Sequence, residues 1–373
     1  MIRKEIFTAL NILEEKGYEA FLVGGAVRNH LMHKPIKDYD ICTNADPNAI
    51  KLLFHDYTVH DIGKKLGTVV VIINKLKIDI TPYRKEGKYS DHRRPDEIVF
   101  TNSLKEDLKR RDFTINALCM NSGKEVVDLF NGVEDLNNGI IRCIGNPDQR
   151  FHEDALRILR ALRFKTKYNF KIEEKTNKSI IKNKDLLNYI SEERKKEELL
   201  QILCCKDAFK TINEYLDVFN TFMPFEKEDR KVNNFSNCLY SLAYLLRNSK
   251  VNLKKLKYSK EEINLITTLI SVSNTDIKND YDFIRVLSDV NQKHILAYLN
   301  ELNHKDYTDR FNSLNKYMVT IDELKIDGSI IQSFGYNGVE IRKMKEELLD
   351  KVHNKELHNT SKSLISYLKK KPA

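Results

Sequence analysis

The sequence predicts an α+β protein: a small head built on a mixed sheet with helices, followed by an all-helical neck, body and tail. Three observations carry that expectation. Short β-branched runs punctuated by Gly, Asn and Asp crowd the first part of the chain. Amphipathic helical patterns then follow one another almost without strand signal. Glycine is absent between residues 146 and 327, as suits a helical array. The expected boundaries are a head over 1–130, a neck over 131–205, a body over 206–290 and a tail over 291–373.

The elements follow in order. Ile2, Ile6, Leu10 and Leu13 recur at helical spacing, and Gly17 closes that helix. Strand-like runs come next at Phe21–Val23, Tyr39–Cys42, Thr68–Ile73 and Ile78–Thr81, with a last one at Val126–Leu129. The character changes after Ile144-Gly145-Asn146-Pro147. No fixed-period repeat and no low-complexity tract interrupts the helices beyond it.

Composition narrows the classes. Hydrophobic residues make up 41% of the 373 and charged residues 31%, which is enough apolar material for real cores. No run of about 18 apolar residues appears, so no membrane span is expected. Met1-Ile2-Arg3-Lys4-Glu5-Ile6 lacks the apolar core of a signal peptide, and a cytoplasmic location is expected. The six cysteines form no CxxC pair and have no His at zinc-ligand spacing, so they read as reduced thiols, mostly in cores. Over half of the net charge of +9 lies in residues 151–250, while the first 150 residues are nearly balanced. A basic middle suits a nucleic-acid partner.

The chemistry-bearing features lie in the head. Gly24-Gly25-Ala26-Val27-Arg28 follows an apolar strand and opens a helix. The glycine pair lets backbone N–H groups approach phosphates, and Arg28 adds a permanent cation. Asp38 and Asp40 follow; alternation along a strand would put both carboxylates on one face, where hard cations prefer oxygen ligands. Phosphoryl transfer uses such cations to neutralise charge on the attacking and leaving oxygens. Asp79, on a later strand, is a third carboxylate placed to help activate an attacking hydroxyl. Singly, a glycine pair is usually a tight turn and a DxD a solvated edge. In this order, within seventeen residues, they mark the nucleotidyltransferases of the polymerase-β type.

On these residues the chain resembles the bacterial-type (class II) tRNA nucleotidyltransferase and poly(A) polymerase family over nearly its whole length. Phe21 through Arg28 with Asp38-Tyr39-Asp40 is similar to the family's first motif, and Arg110-Arg111-Asp112-Phe113-Thr114-Ile115-Asn116-Ala117 to its second. Asp128 through Gly132, with Asp135 and Gly139, resembles the hinge between head and neck. Glu153-Asp154-Ala155-Leu156-Arg157 resembles the nucleotide-choosing motif, and Ser191-Glu192-Glu193-Arg194 the neck motif after it. Leu324–Gly328 and Phe334–Gly338 resemble tail segments, and the lysines ending at Lys371 could touch tRNA phosphates or simply face solvent.

The resemblance implies addition and repair of the 3′-terminal CCA of tRNA from CTP and ATP, without a template. It implies that Asp38 and Asp40 hold Mg2+. It assigns nucleotide contacts to Gly24, Gly25, Arg28, Arg111, Asp112, Asn116, Asp154, Arg157, Arg160 and Arg163. One departure stands out: the residue after Arg28 is Asn29, where the family usually has Asp. An Asn keeps hydrogen-bonding capacity and loses charge, so weaker support of Arg28 is expected.

Base choice has a physical reading. On one helix Asp154 and Arg157 would lie about 60° apart. The carboxylate would accept from the exocyclic amine of cytosine or adenine and the guanidinium would donate to the ring nitrogen beside it. Uracil and guanine present a keto oxygen there, and two facing acceptors cost on the order of 1–3 kcal/mol. The ordinary alternative is an i,i+3 salt bridge on a solvated helix.

Narrower readings are a poly(A) polymerase or one partner of a split CC-adding and A-adding pair; a different class is a tRNA-binding protein without catalysis. Tyr83–Pro95 is charge-dense with little periodicity and reads as a surface loop. CCA-adding and A-adding members of the family carry a loop of this type, which CC-adding members shorten.

Overall fold

The computed structural model describes residues 2–63, 67–87, 97–228 and 235–371, and divides into two compact units, 1–224 and 225–373. The expected boundaries at 130 and 205 fall inside the first unit, and that at 290 inside the second.

The first unit opens with α1 (Lys4–Glu14), whose buried Ile6, Ala9, Leu10 and Leu13 form the expected stripe. It continues through β1 (Ala20–Val23), α2 (Gly25–Leu31), β2 (Asp40–Thr43), α3 (Pro47–Leu53), β3 (Thr58–Gly63), β4 (Thr68–Ile73), β5 (Leu76–Pro82), β6 (Arg84–Glu86), β7 (Ile98–Phe100), α4 (Leu104–Lys109), β8 (Cys119–Met120) and β9 (Val126–Val127). Seven strands form one mixed sheet in the order β3-β4-β5-β2-β1-β8-β9. Only β2 and β5 run parallel; the other neighbours are antiparallel. Val23, Cys42, Tyr83, Leu108, Ala117, Cys119 and Ile144 pack into a buried cluster that joins strands β1, β2 and β8 to α4.

Helices then dominate: α5 (Gly132–Asn137), β10 (Ile140–Ile141), α6 (Pro147–Glu153), α7 (Leu156–Tyr168), β11 (Lys171–Ile172), α8 (Glu174–Lys182), α9 (Glu192–Leu203), α10 (Ala208–Glu214) and α11 (Leu216–Phe219). The hinge is tightly packed. A Cβ on Gly132 would lie 2.9 Å from the carbonyl carbon of Thr114, so only glycine lets α5 approach that backbone. Asp128 accepts from the N–H groups of Gly132 and Val133 at 2.9 and 2.8 Å, fixing the entry to the helix.

The described residues of the second unit contain helices and no strand: α12 (Cys238–Leu245), α13 (Lys260–Ser273), α14 (Asp280–Leu287), α15 (Gln292–Asn303), α16 (Thr308–Leu314), α17 (Gly328–Ser333), α18 (Val339–His353) and α19 (Ser361–Lys370). Its core is aromatic: Phe235 stacks on Tyr298 at 5.1 Å, and Tyr244 and Phe283 are fully buried. No described helix is long and apolar enough to cross a membrane. All six cysteines are free thiols, and Cys42, Cys119 and Cys143 are buried.

The head of mixed sheet and helices and the helical remainder agree with expectation, but four local readings need correction. Asp38 lies ahead of β2, which begins at Asp40, so the two carboxylates do not alternate along one strand. Arg84–Glu86 is not loop but pairs with Ile98–Phe100, and Tyr83 is fully buried; residues 88–96 lie outside the described residues. The neck, expected to be all helix, contains two short strands, β10 and β11, paired in parallel, where Gly139 seats the ring of Phe170. Finally, no single helix spans 153–163. Asp154 is extended (φ −143°, ψ 101°) and separates α6 from α7. Arg150 and Arg157 both donate to the carbonyl of Arg110, and that tertiary convergence overrides helical continuity.

Candidate active site

Gly24 ends β1 at φ +67°, a left-handed backbone that glycine adopts without strain. Its N–H donates to the Leu118 carbonyl at 3.1 Å, and a Cβ would stand 3.2 Å from Arg111 Nη1. The turn is therefore a close junction between the first motif and the second. Gly25 starts α2, which carries Arg28 one turn later.

Asp40 and Asp79 stand side by side, paired in register across β2 and β5. Their side chains share a face of the sheet because parallel neighbours in register point the same way. The Asp79 N–H donates to the Tyr39 carbonyl at 3.0 Å, which pins the residue between Asp38 and Asp40. Asp40 is solvent-exposed at the start of β2, yet its carboxyl is raised above its usual range, first by desolvation against the protein atoms around it, with Asp79 and Asp38 adding and Arg111 opposing. Asp79 is ion-paired with Lys77, whose Nζ lies 3.1 Å from Oδ1 and donates to Oδ2 at 3.4 Å. Among the described residues no group of three or more His, Cys, Asp or Glu forms a ready-made metal cage. The crowded carboxylates of Asp40, Asp79 and Asp38 nevertheless fit a hard divalent cation whose remaining ligands come from substrate and water.

Arg111 is oriented by Asp107, which is fully buried on α4 and also holds Arg110 through Nε at 2.9 Å and Nη2 at 2.8 Å. Burial pushes the Asp107 carboxyl up, but the two guanidiniums outweigh it and hold it below its usual value. The sequence reading missed Asp107; the spacing Asp107, Arg110, Arg111 at i, i+3 and i+4 was the available signal.

A chain of buried polar contacts joins head to neck. Arg28 donates to Asn116 Oδ1, Asn116 Nδ2 donates to Asp112 Oδ1 at 2.9 Å, and Arg160 grips Asp112 Oδ2 through Nε at 2.8 Å and Nη2 at 2.7 Å. Burial opposes charge on Asp112, yet Arg160, Asn116 and the Phe113 N–H hold its carboxyl far below the usual range. Glu198 on α9 lies 3.3 Å from Arg163 Nε and 3.9 Å from Arg160 Nη1; burial raises its pKa against both cations. The guanidinium carbons of Arg28, Arg160 and Arg163 stand 5.0, 5.5 and 4.8 Å from the ring centre of Phe164. These three arginines thus gather around one ring. Burial lowers the pKa of Arg28 and Arg163, whereas Asp112 raises that of Arg160.

Asp154 does not pair with Arg157. Its carboxylate is held by Arg194 at 3.3 and 3.2 Å and caps the Leu156 N–H at 3.2 Å. Arg157 is buried and donates to the carbonyls of Arg150 (2.8 Å) and Arg110 (3.0 Å) and to Glu153 (2.9 Å). Arg194 was singled out in sequence only as part of a motif; its contact with Asp154 spans forty residues, beyond any local pattern.

Glycine turn, paired carboxylates and converging arginines, on a mixed sheet backed by helices, are the arrangement of a polymerase-β-type nucleotidyltransferase. The poly A polymerase head domain family matches residues 20–142, and a probable RNA and SrmB-binding site of polymerase A matches residues 169–218. A CCA-adding enzyme of Pediococcus pentosaceus is 34% identical over 97% of this chain and 96% of its own. One from Enterococcus faecalis is 50% identical over 54% of this chain, so that match spans about half (49%) of the relative's length. The solved Bacillus stearothermophilus CCA-adding enzyme in complex with CTP superposes with a TM-score of 0.81 at 26% identity, covering 98% of this chain and 96% of that one. The chain belongs to the CCA-adding enzymes, a family of metal-dependent tRNA nucleotidyltransferases.

Proposed function

We propose that this chain adds and repairs the 3′-terminal CCA of tRNA, using CTP and ATP and releasing pyrophosphate, in the cytoplasm. The observation that carries the reading is the juxtaposition, within one site, of the Asp40–Asp79 pair, the Gly24 turn and the chain Arg28–Asn116–Asp112–Arg160. The tRNA terminal hydroxyl attacks the α-phosphate and pyrophosphate leaves. Asp38 and Asp40 would hold Mg2+, which supplies charge neutralisation at the attacking and leaving oxygens. Asp79, beside Asp40, is placed to draw on the attacking hydroxyl. Arg28, Arg111, Arg160 and Arg163 bind the triphosphate and ribose end, with Gly24 and Gly25 leaving room for the phosphates and Asp112 and Asn116 holding the arginines in place. Asp154 accepts from the exocyclic amine of cytosine or adenine, and Arg157 donates to the ring nitrogen once the base displaces one of its contacts with Glu153 and the Arg150 and Arg110 carbonyls. The neck over 131–205 carries the nucleotide-selecting residues, and the tail over 291–373 binds the tRNA.

The intact pair Asp38 and Asp40, together with Asp154, argues against a tRNA-binding protein that has lost catalysis. The test is incubation with tRNA lacking its last three nucleotides, plus CTP and ATP, followed by sequencing of the product. Addition of C, C and A and then arrest is the expected result. Long A tracts on unstructured RNA would instead assign a poly(A) polymerase, and addition of only C, C or only A one partner of a split pair.

A further inference from the structure

The residue after Arg28 is the uncharged Asn29, and the guanidinium is nevertheless held on several sides. Asn29 Oδ1 accepts from Arg28 Nε at 3.3 Å and Nη2 at 3.1 Å, and the Tyr168 hydroxyl donates to the same oxygen at 3.2 Å. The amide is oriented by its other end, where Nδ2 donates to the Pro35 carbonyl at 3.0 Å, which turns the oxygen toward Arg28. The Tyr168 ring also packs against the guanidinium, 5.1 Å from Arg28 Cζ, and stacks on Phe164 with an interplanar angle of 10°. Lys34 Nζ stands 4.5 Å from the centre of the same ring. Tyr168 ends α7, the helix that also carries Arg160 and Arg163, and Arg28 sits on α2 of the head.

We infer that Tyr168 is a positioning residue for Arg28, acting through Asn29: its hydroxyl fixes the Asn29 oxygen and its ring packs on the guanidinium, adding to the restraint that Asn116 and Phe164 give. A carboxylate would add the attraction of a full negative charge to its hydrogen bonds with the guanidinium, which the neutral amide of Asn29 does not supply. The hydrogen-bonded triangle Arg28–Asn29–Tyr168 ties the end of α7 to α2. The inference rests on the proposed role of Arg28 in binding the nucleotide.

The experiment is a double-mutant cycle of Tyr168→Phe and Asn29→Ala on the full chain, reading KM for CTP, KM for tRNA, kcat and thermal unfolding. Tyr168→Phe keeps the ring and removes only the hydroxyl; it raises KM for CTP by about threefold to tenfold, with a much smaller change in kcat and in KM for tRNA. In the Asn29→Ala background the same substitution adds nothing further, because the oxygen it acts on is gone. Tyr168→Leu, which also removes the ring, raises KM for CTP beyond Tyr168→Phe. An unchanged KM for CTP in Tyr168→Phe overturns the inference, as do additive effects in the cycle or a loss explained by unfolding alone. A parent enzyme that adds no nucleotide to tRNA overturns instead the reading on which it rests.

Discussion

Replacing Asp154 by alanine isolates base selection from catalysis. A carboxylate offers about four acceptor positions, and three are used here: Oδ1 by the Leu156 N–H and Arg194 Nη1, Oδ2 by Arg194 Nη2. One position remains for an exocyclic amine, and Arg194 holds it in place. A hydrogen bond to a charged group contributes about 1.5–3 kcal/mol, so its loss lowers the preference for CTP over UTP by roughly tenfold to a hundredfold. The assay is kcat/KM for CTP and for UTP on tRNA lacking its terminal nucleotides, with both substrates measured on the same variant. The ratio cancels any change in folded fraction, which matters because Arg194 also loses its partner. A ratio within twofold of the parental value, in a variant that still turns over, would refute the base-edge argument.

Three further outcomes are expected. Asp40→Ala lowers incorporation by several orders of magnitude while filter-binding of tRNA barely changes, and chelation of divalent cations followed by Mg2+ addition abolishes and restores turnover in the parent. Gly132→Ala forces a methyl group against the Thr114 carbonyl and costs about 1–3 kcal/mol, read as a fall in the midpoint of thermal or urea unfolding. Deleting Lys88–Arg94 leaves the two cytidines nearly intact but stops the final adenosine, seen by extension at single-nucleotide resolution; completion of CCA at the parental rate would reduce this segment to surface.

What the sequence by itself determined is local chemistry. The glycine pair, Arg28, Asp38 and Asp40 lie within a short stretch, and a strand–turn–helix is written in the residues themselves. Thr68–Ile73 was legible to the residue because six consecutive strand formers leave no other period. Short strands such as Cys119–Met120 and Arg84–Glu86 were not legible, since two or three residues become strand only through the neighbour they pair with. Only the tertiary structure decided which charges meet. Asp40 finds Asp79 because β2 and β5 run parallel in register, and Asp112 finds Arg160 forty-eight residues away. Asp154 faces Arg194, not Arg157, because Arg150 and Arg157 are drawn to one backbone carbonyl and the helix breaks between them. Spacing along a chain predicts a contact only while one element lasts; past its end, long-range satisfaction of buried charges sets the geometry.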